Sequence, residues 1–327
     1  MSDRLLHVVP GELMPPRDPG RRHLISVADL ERDDVERLLA TAHSFALSQE
    51  RDNKKLPTLR GRLVVNMFFE SSTRTSSSFE LAAKRLSADT LSMKASGSSV
   101  DKGESLKDTA LTLSAYDPDV IVIRHPQIGA PQLVAAVTEA HVVNAGDGKH
   151  QHPTQALLDL YAMQDSLGRL EGVQVAIVGD VLHSRVARSL IQALRLVGAK
   201  VVLVGPPPLL PRELAEVSYD IDAIKDADVV YVLRMQRERM EPGANYVPSL
   251  REYSARWCVT PERLRPGQKV MHPGPMNRGV EIDPRVADSQ SALVVDQVRA
   301  GLVVRMAVLY DLLTKGPVAV ETAVGIA

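Results

Sequence analysis

The sequence lacks three features that each define a class of proteins. It has a single cysteine, Cys258, in 327 residues, which excludes a disulfide framework and a cysteine-based zinc site and favours a reducing compartment. It has no apolar run of membrane-spanning length and no apolar signal-peptide region near its start. Its formal net charge is only −1, so no general attraction to nucleic acid or anionic membranes is encoded. We therefore expect a cytoplasmic protein with no nucleic-acid or membrane partner.

What the sequence does have is a regular alternation of strand-like and helix-like segments. Its 327 residues, 44% of them hydrophobic, suffice for two domains with sizeable cores. The predicted strands are Arg62–Phe69, Asp89–Met93, Val120–Ile123 and His141–Asn144, followed by Val173–Asp180, Lys200–Gly205, Val229–Leu233 and Lys269–Pro275. Such alternation indicates mostly parallel sheets with helices on both faces. We predict an α/β protein of two doubly wound parallel-sheet domains joined by helices, with the active site in the cleft between them.

The domain border is predicted at His152, which divides the chain into residues 1–151 and 152–302. A C-terminal helix, residues 303–327, is expected to pack back on the first domain. The stretch Ser291–Leu313 has helical spacing, and we predict a break near Gly301. The polar segment Arg237–Ser254 has two prolines and little periodicity, which predicts a long irregular loop with a function.

The stretch "FFESSTRTSSSFE", from Phe68 to Glu80, ends a strand with seven hydroxyl side chains around Arg74 and contains no glycine. We expect Ser72 to Thr75 to open a helix, whose free N–H groups and dipole favour an anion, and Arg74 to add a charge-assisted pair. The stretch is not a Walker A loop, because its glycines and its Lys-Ser/Thr pair are missing. A simpler alternative stays open here, in which Ser72 is only a helix cap.

Polar groups follow other predicted strands too, which is where ligands bind in open α/β sheets. His152 can donate to a carbonyl oxygen, and Gln155 offers both a donor and an acceptor. Pro273 and Pro275 have no N–H group, so their turn presents carbonyl oxygens, which suit a ligand NH2 group. Three arginines suit phosphate or carboxylate groups, namely Arg124, Arg185 and Arg234. A structural histidine, a plain Pro-Gly-Pro turn and solvated arginines are the alternatives.

Seven motifs, taken in order, resemble the aspartate/ornithine carbamoyltransferase family, and within it the aspartate carbamoyltransferase catalytic chains. They are "FFESSTRTSSSFE", "DKGESLKDT", "RHPQIGA", "HPTQALLDLY", "GDVLHSRVARS", "RMQRERM" and "HPGPMNRGVEI". The resemblance covers the chain from about Leu24 to Leu313. It implies transfer of the carbamoyl group from carbamoyl phosphate to the amine of L-aspartate, in de novo pyrimidine biosynthesis, with no metal and no organic cofactor.

The resemblance also implies a role for individual residues. The catalytic residues would be Arg74, Thr75, Arg124 and His152. Residues 1–151 would be the carbamoyl phosphate-binding domain, and carbamoyl phosphate would contact Ser72, Thr73, Arg74, Thr75, Arg124, His152, Gln155, Gly274 and Pro275. Residues 152–302 would be the aspartate-binding domain, and L-aspartate would contact Lys102, Arg185, Arg234 and Gln236. Ser98 and Lys102 would enter the active site of a neighbouring subunit, which implies a homotrimer that further regulatory or pathway-partner chains can join.

Some residues depart from the family pattern, and two other functions compete. Ser71 and Ser76 replace a Pro and an Arg, and Gly274 stands where bulkier residues occur, which puts the shape of the carbamoyl pocket in question. Ornithine carbamoyltransferases typically have a cysteine in both the His-Pro-x-Gln and the late His-x-Leu-Pro motifs, whereas "HPTQ" and "HPGP" have none and Cys258 lies elsewhere. A non-catalytic carbamoyl phosphate-binding paralogue is the other alternative. A dinucleotide-binding protein is disfavoured because "VAIVGD" lacks the G-x-G-x-x-G turn.

Overall fold

The computed structural model describes residues 23–94, 103–240 and 246–314, without the side chain of Arg237. The first sheet has four parallel strands in the order β2-β1-β3-β4. They are β1 (Leu63–Phe68), β2 (Asp89–Lys94), β3 (Val120–His125) and β4 (His141–Asp147). The inner strands β1 and β3 are almost wholly buried, because helices cover both faces, whereas β2 is a largely exposed edge.

Five helices accompany this sheet. They are α1 (Arg32–Ser48), α2 (Thr73–Arg85), α3 (Leu106–Ser114), α4 (Ala130–Val137) and α5 (Pro153–Leu167). Two begin at serine caps, since Ser72 Oγ accepts from the N–H of Thr75 and Ser105 Oγ accepts from the N–H of Asp108. The sequence did not predict α4, a short helix of small apolar residues that begins at Gly129 with a φ of +85°.

The second sheet has five parallel strands in the order β7-β6-β5-β8-β9. They are β5 (Gln174–Val178), β6 (Lys200–Val204), β7 (Glu216–Ser218), β8 (Val229–Val232) and β9 (Lys269–Met271). Its helices are α6 (Arg185–Leu196), α7 (Leu250–Trp257) and α8 (Pro284–Ala287). The edge strand β7 was not predicted. The predicted strand Lys269–Pro275 was too long, because Pro273 and Pro275 cannot donate to a sheet.

The final helix, α9 (Val294–Leu313), corrects the predicted break at Gly301, because it runs through that residue. The glycine leaves room for a side chain: a Cβ atom at Gly301 would lie 2.6 Å from Arg305 Nη1, which donates to the Gly301 carbonyl oxygen at 3.1 Å. The helix packs against α1, α2 and α5. It ends at Leu313, and residues 315–327 lie outside the described part of the chain.

The predicted irregular loop Arg237–Ser254 is wrong at its end. Helix α7 begins at Leu250, because Ser249 Oγ accepts from the N–H of Glu252 at 3.1 Å and so caps the helix. Residues 237–239 form a short 3-10 turn, and residues 241–245 lie outside the described ranges.

Each sheet reverses its strand order once, and these two points locate a site. The reversal lies between β1 and β3 in the first sheet and between β5 and β8 in the second. Connections leave neighbouring strands in opposite directions at such a point, which opens a crevice beyond the carboxyl ends of the strands. The predicted fold, two parallel-sheet α/β units with a cleft at these ends, is confirmed. No helix in the described ranges is long and apolar enough to cross a membrane.

Candidate active site

A cleft of about 570 Å³ lies beyond the strand ends beside both reversal points. It brings together the predicted site residues of the described chain: Ser72, Thr73, Arg74, Thr75, Arg124, His152, Gln155, Arg185, Arg234, Gln236, Pro273, Gly274 and Pro275. Ser72–Thr75 follow β1 and Arg124 lies at the end of β3, and we call these residues the phosphate wall. Arg185 follows β5, and Arg234 and Gln236 follow β8; we call these residues the carboxylate wall. Ser98 and Lys102 lie outside the described residues.

The phosphate wall is built on the first turn of α2. Ser72 is its N-cap, and its Oγ accepts from the Thr75 N–H at 3.4 Å and from Arg124 Nη1 at 3.2 Å. The hydroxyls of Ser76 and Ser78 donate to backbone carbonyls one turn earlier, at 2.6 and 2.7 Å. The helix itself therefore satisfies those two hydroxyls. The N–H groups of the first turn, which have no partner within a helix, lie at the cleft and favour an anion there.

Arg74 reaches across the cleft to the other domain. Its Nη1 donates to the carbonyl oxygen of Pro273 at 3.3 Å, and a Cβ atom at Gly274 would collide with its guanidinium. Gly274 has a φ of +67°, which favours glycine in its own right. The departure from the family pattern at Gly274 thus has a visible result, because it admits the Arg74 guanidinium.

Glu70, which sequence reasoning missed, binds arginines from both walls. Its Oε2 accepts from Arg185 Nη2 at 2.7 Å and from Arg124 Nε at 3.2 Å, and Arg239 Nη2 lies 4.0 Å from its Oε1. Burial raises the pKa of Glu70, but the three arginines, Arg185 foremost, outweigh burial and hold the pKa below its usual value. The sequence signal that could have identified Glu70 is its position, directly after a buried strand and beside the hydroxyl cluster.

His152 is kept neutral first by its burial and then by the positive charge at the centre of the cleft. Burial, followed by the charges of Arg124 and Arg185, lowers the pKa of His152 well below its usual value. Burial and Arg185 also lower the pKa of Arg124, to about 9. The backbone N–H of His152 donates to Ser189 Oγ at 2.8 Å, and no described group bonds to its buried Nδ1. A neutral imidazole of this kind can offer one N–H to a ligand oxygen.

The carboxylate wall holds its arginines in place with protein groups. Arg185 is only 2% exposed and also donates through Nη1 to the Gly148 carbonyl oxygen at 3.2 Å. Arg234 forms a two-pronged ion pair with the exposed Glu238, with Nη1 3.0 Å from Oε2. The Gln236 N–H donates to Asp180 Oδ2 at 3.0 Å, which fixes the chain next to Arg234.

A buried carboxylate, Asp159, lies beneath the cleft, and sequence reasoning missed it as well. It accepts from Gln155 Nε2 at 3.0 Å, from Gln297 Nε2 at 2.7 Å and from the Tyr231 hydroxyl at 2.6 Å. Burial raises its pKa to about 7. Arg305, also missed, lines the cleft and stacks 5.1 Å from the Phe79 ring. Its contacts, like those of Asp159, join distant parts of the chain.

The groups that line the cleft define the class of the site. One wall suits a phosphate group, the other suits carboxylates, and neutral donors lie between them. In the described ranges no three His, Cys, Asp or Glu residues cluster as a metal site would require. The arrangement is that of a two-domain α/β enzyme that transfers a group between two anionic substrates.

Comparison with known proteins gives the family. Residues 22–165 match the model of the aspartate/ornithine carbamoyltransferase carbamoyl-P binding domain, and residues 171–312 match that of the Asp/Orn binding domain. The chain belongs to the aspartate/ornithine carbamoyltransferase family. It is 56% identical over 303 residues to the aspartate carbamoyltransferase catalytic subunit of Salinispora arenicola, covering 89% of this chain and 98% of that one. The same subunit of Moorella thermoacetica is 52% identical over 301 residues, with 90% and 97% covered.

Solved structures agree. Aspartate transcarbamoylase from Trypanosoma cruzi, in complex with N-(phosphonacetyl)-L-aspartic acid, superposes with a TM-score of 0.83 at 31% identity, covering 90% of this chain and 96% of that one. The catalytic subunit of M. jannaschii aspartate transcarbamoylase gives a TM-score of 0.78 at 36% identity, with 89% and 97% covered.

Proposed function

We propose that this chain is an aspartate carbamoyltransferase, which makes N-carbamoyl-L-aspartate and phosphate from carbamoyl phosphate and L-aspartate in pyrimidine biosynthesis. The observation that carries the proposal is the single cleft with a phosphate wall, a carboxylate wall and neutral donors between them. The names of relatives at 52–56% identity support the same activity.

On the phosphate wall, we assign carbamoyl phosphate to the first turn of α2 and to the two arginines beside it. Ser72, Thr73 and Thr75 offer hydroxyl and N–H donors, while Arg74 and Arg124 neutralise the phosphate charge. Arg74 is already bonded to a neutral carbonyl oxygen, that of Pro273. A phosphate can therefore displace that contact without separating an ion pair.

The carbamoyl group lies next to the phosphate in this assignment. His152, Thr75 and Arg124 donate to its carbonyl oxygen, where negative charge builds up as the amine attacks. Gln155 and the main-chain carbonyls around Pro273 accept from its NH2 group. Phosphate then departs and takes up the proton that the amine loses. Because His152 is neutral in this field of arginines, it acts as a hydrogen-bond donor and not as a charged acid.

On the carboxylate wall, we assign the two carboxylates of L-aspartate to Arg185 and Arg234, with Gln236 beside the latter. A guanidinium group only donates, so these two arginines suit carboxylates and offer no acceptor to an ornithine side chain, which is a cation. The decisive assay supplies carbamoyl phosphate with L-aspartate or with L-ornithine. Product from L-aspartate alone is expected. Product from L-ornithine, or from neither amino acid, would overturn the proposal.

We further propose that the chain works in the cytoplasm as a homotrimer, in which Ser98 and Lys102 complete the active site of the next subunit. Both residues lie outside the described part, so this proposal rests on the family resemblance. Trimers of Arg74→Ala chains and of Lys102→Ala chains should each be nearly inactive. Mixing the two after dissociation rebuilds one intact site per mixed trimer, so at most about a third of full activity should return. Mixtures as inactive as their parents would refute a shared site.

A further inference from the structure

Asp159 is a carboxylate with no access to solvent that holds three elements together below the cleft. It is 0% exposed, and its donors come from α5 (Gln155), β8 (Tyr231) and α9 (Gln297). The two glutamine amides share Oδ1, and the tyrosine hydroxyl occupies Oδ2. Burial of such a carboxyl opposes ionisation, so its presence at this place requires an explanation beyond packing.

The first consequence concerns the amide of Gln155. An amide has a donor end and an acceptor end, and only the NH2 end can face an ionised carboxylate. Asp159 Oδ1 lies 3.0 Å from Gln155 Nε2, so the amide oxygen is turned away from it. Gln155 lines the cleft. The carboxylate therefore sets which end of this amide a ligand meets, and that end is an acceptor.

The second consequence concerns the backbone turn on the opposite side. Gln297 Nε2 also donates to Asp159, which orients its own oxygen toward the His272 N–H at 3.0 Å. His272 directly precedes Pro273, whose carbonyl oxygen faces the cleft and accepts from Arg74. Asp159 thus orients the Gln155 amide directly and, through Gln297, supports the turn that carries the Pro273 carbonyl oxygen. Both acceptors face the cleft.

We propose that Asp159 is a positioning residue that makes the cleft select an NH2 group over a methyl group at the carbonyl carbon of its phosphate ligand. The inference rests on the proposed function, because it takes carbamoyl phosphate as the ligand. A methyl group has the size of NH2 but cannot donate, so it leaves the oriented Gln155 oxygen without a partner. A carboxylate that only stabilised the fold would affect both ligands alike.

Two stable probes isolate this selection. Phosphonoacetamide has NH2 where phosphonoacetone has a methyl group, and the rest of the two molecules is the same. Calorimetric titration gives a dissociation constant for each, and their ratio is the preference for NH2. Titrations are run at about pH 8.5, where Asp159 is ionised, because burial raises its pKa to about 7.

In Asp159→Leu the Gln155 amide loses its acceptor and can turn either way. We expect the preference for NH2 to fall about tenfold, with phosphonoacetone affinity changed by less than about threefold. In Asp159→Asn one oxygen is retained. It should face the two glutamine NH2 groups, because the His272 N–H holds the Gln297 oxygen and the tyrosine oxygen can accept from the new amide. The preference should therefore stay within about threefold of wild type.

Tyr231→Phe is the matched control, because it removes the donor at Oδ2 and leaves the Gln155 contact at Oδ1. It should lower the melting temperature and leave the preference unchanged. Should Asp159→Leu fail to fold, the pair Asp159→Leu with Tyr231→Phe removes the hydroxyl that is otherwise left unpaired. In a Gln155→Met background, Asp159→Leu should change the preference no further.

Three results would overturn the inference: a wild-type preference in Asp159→Leu, an equal loss of affinity for both probes, or an Asp159→Asn variant as indiscriminate as the leucine variant. The proposed function is tested separately by turnover of the wild-type enzyme with L-aspartate. An active wild type with a preference independent of Asp159 defeats only the inference. An inactive wild type defeats the function.

Discussion

The two walls of the cleft differ in how their arginines are partnered. On the phosphate wall, Arg124 shares Glu70 with Arg185, but Arg74 is exposed and donates to a neutral carbonyl oxygen, that of Pro273. On the carboxylate wall, Arg185 and Arg234 are already paired with the carboxylates of Glu70 and Glu238. At the first wall a substrate meets a guanidinium, that of Arg74, whose hydrogen bond among the described residues goes to a neutral group. At the second wall, carboxylates that the protein supplies hold and orient both arginines.

This difference matches the chemistry of the two proposed substrates. Phosphate needs many donors, and a helix N-terminus with hydroxyl groups provides them from one short segment. The carboxylates of L-aspartate need separate cations, and unpaired arginines would be costly to bury without a ligand. Glu70 and Glu238 keep those arginines paired and oriented until a substrate carboxylate arrives.

The largest expected effect comes from Arg74→Ala, which removes the freest cation of the phosphate wall. Loss of a charge-assisted donor to the phosphate should lower kcat by about 100- to 1,000-fold, or roughly 3–4 kcal/mol. Steady-state assays would measure it, with Lys84→Ala on the same helix as the control, since the ion pair of Lys84 among the described residues is with Glu80 of its own helix. A turnover number within about tenfold of wild type would show that Arg74 does not contact the phosphate.

Asp159, beneath the phosphate wall, should make folding stability depend on pH. Burial raises its pKa from 3.8 to about 7, so the folded state favours the neutral carboxyl. The resulting stabilisation is complete below the unfolded pKa and is lost as the pH rises through about 7, at about 1.4 kcal/mol per pH unit. The free energy of unfolding of wild type relative to Asp159→Asn should therefore fall by roughly 3 kcal/mol between about pH 5 and about pH 8.

Urea unfolding at fixed protein concentration would measure this difference. Asp165→Asn, at an exposed position on the same helix, is the matched control. A wild-type curve parallel to that of Asp159→Asn would mean that Asp159 stays ionised across this range. The free energy of unfolding would then show no cost for burying the ionised Asp159 carboxylate.

Glu70→Gln tests the pairing that links the two walls. Arg185, nearly inaccessible to solvent, would lose the charge of its partner 2.7 Å away, and its orientation should suffer. We expect the KM for L-aspartate to rise about tenfold, or roughly 1.4 kcal/mol, with a smaller change for carbamoyl phosphate. Glu80→Gln, on the exposed face of α2, is the control. A lower KM for L-aspartate would instead mean that Glu70 competes with the substrate.

The sequence predicts the local features of the chain but not the contacts between its distant segments. Seven of the eight predicted strands match the observed ones within about three residues at each end, because each strand forms a local apolar run between turn signals. The Ser72–Thr75 cluster is also local, since one cap and one helix turn create it. Every site residue that the motifs identified and that the structure describes lines the same cleft.

The pairings inside the cleft could not be predicted in this way, because they join distant segments. Glu70 bonds to Arg185 across 115 positions and Asp159 to Gln297 across 138. No local pattern encodes such contacts. The predicted helix break at Gly301 was wrong for a similar reason. Glycine usually weakens a helix, but here the Arg305 guanidinium occupies the space that a side chain at Gly301 would fill. Ser98 and Lys102 lie outside the described chain, so their roles stay predictions.

The smallest effect is expected from Gly274→Ala, where the two walls touch. An alanine Cβ would collide with the Arg74 guanidinium, which must then leave the Pro273 carbonyl oxygen. Arg74 is a long and exposed side chain, so it can move at little cost. The remaining penalty is the φ of +67°, worth about 1–2 kcal/mol of folding stability. Since a bound phosphate would draw Arg74 away from Pro273 in any case, kcat should change by less than about threefold.

Gly267→Ala is the matched control for this variant. Gly267 has a φ of +85°, and an alanine Cβ at this position would have no neighbouring atom within 4 Å, so it carries the same backbone penalty without the collision. Both variants should lose similar stability. Only Gly274→Ala should change the affinity for inorganic phosphate, and in the favourable direction, because it frees Arg74 from the opposite wall before the ligand arrives. Weaker phosphate binding in Gly274→Ala than in Gly267→Ala would show that the Pro273 contact holds Arg74 ready for the phosphate, so that both walls are set in advance.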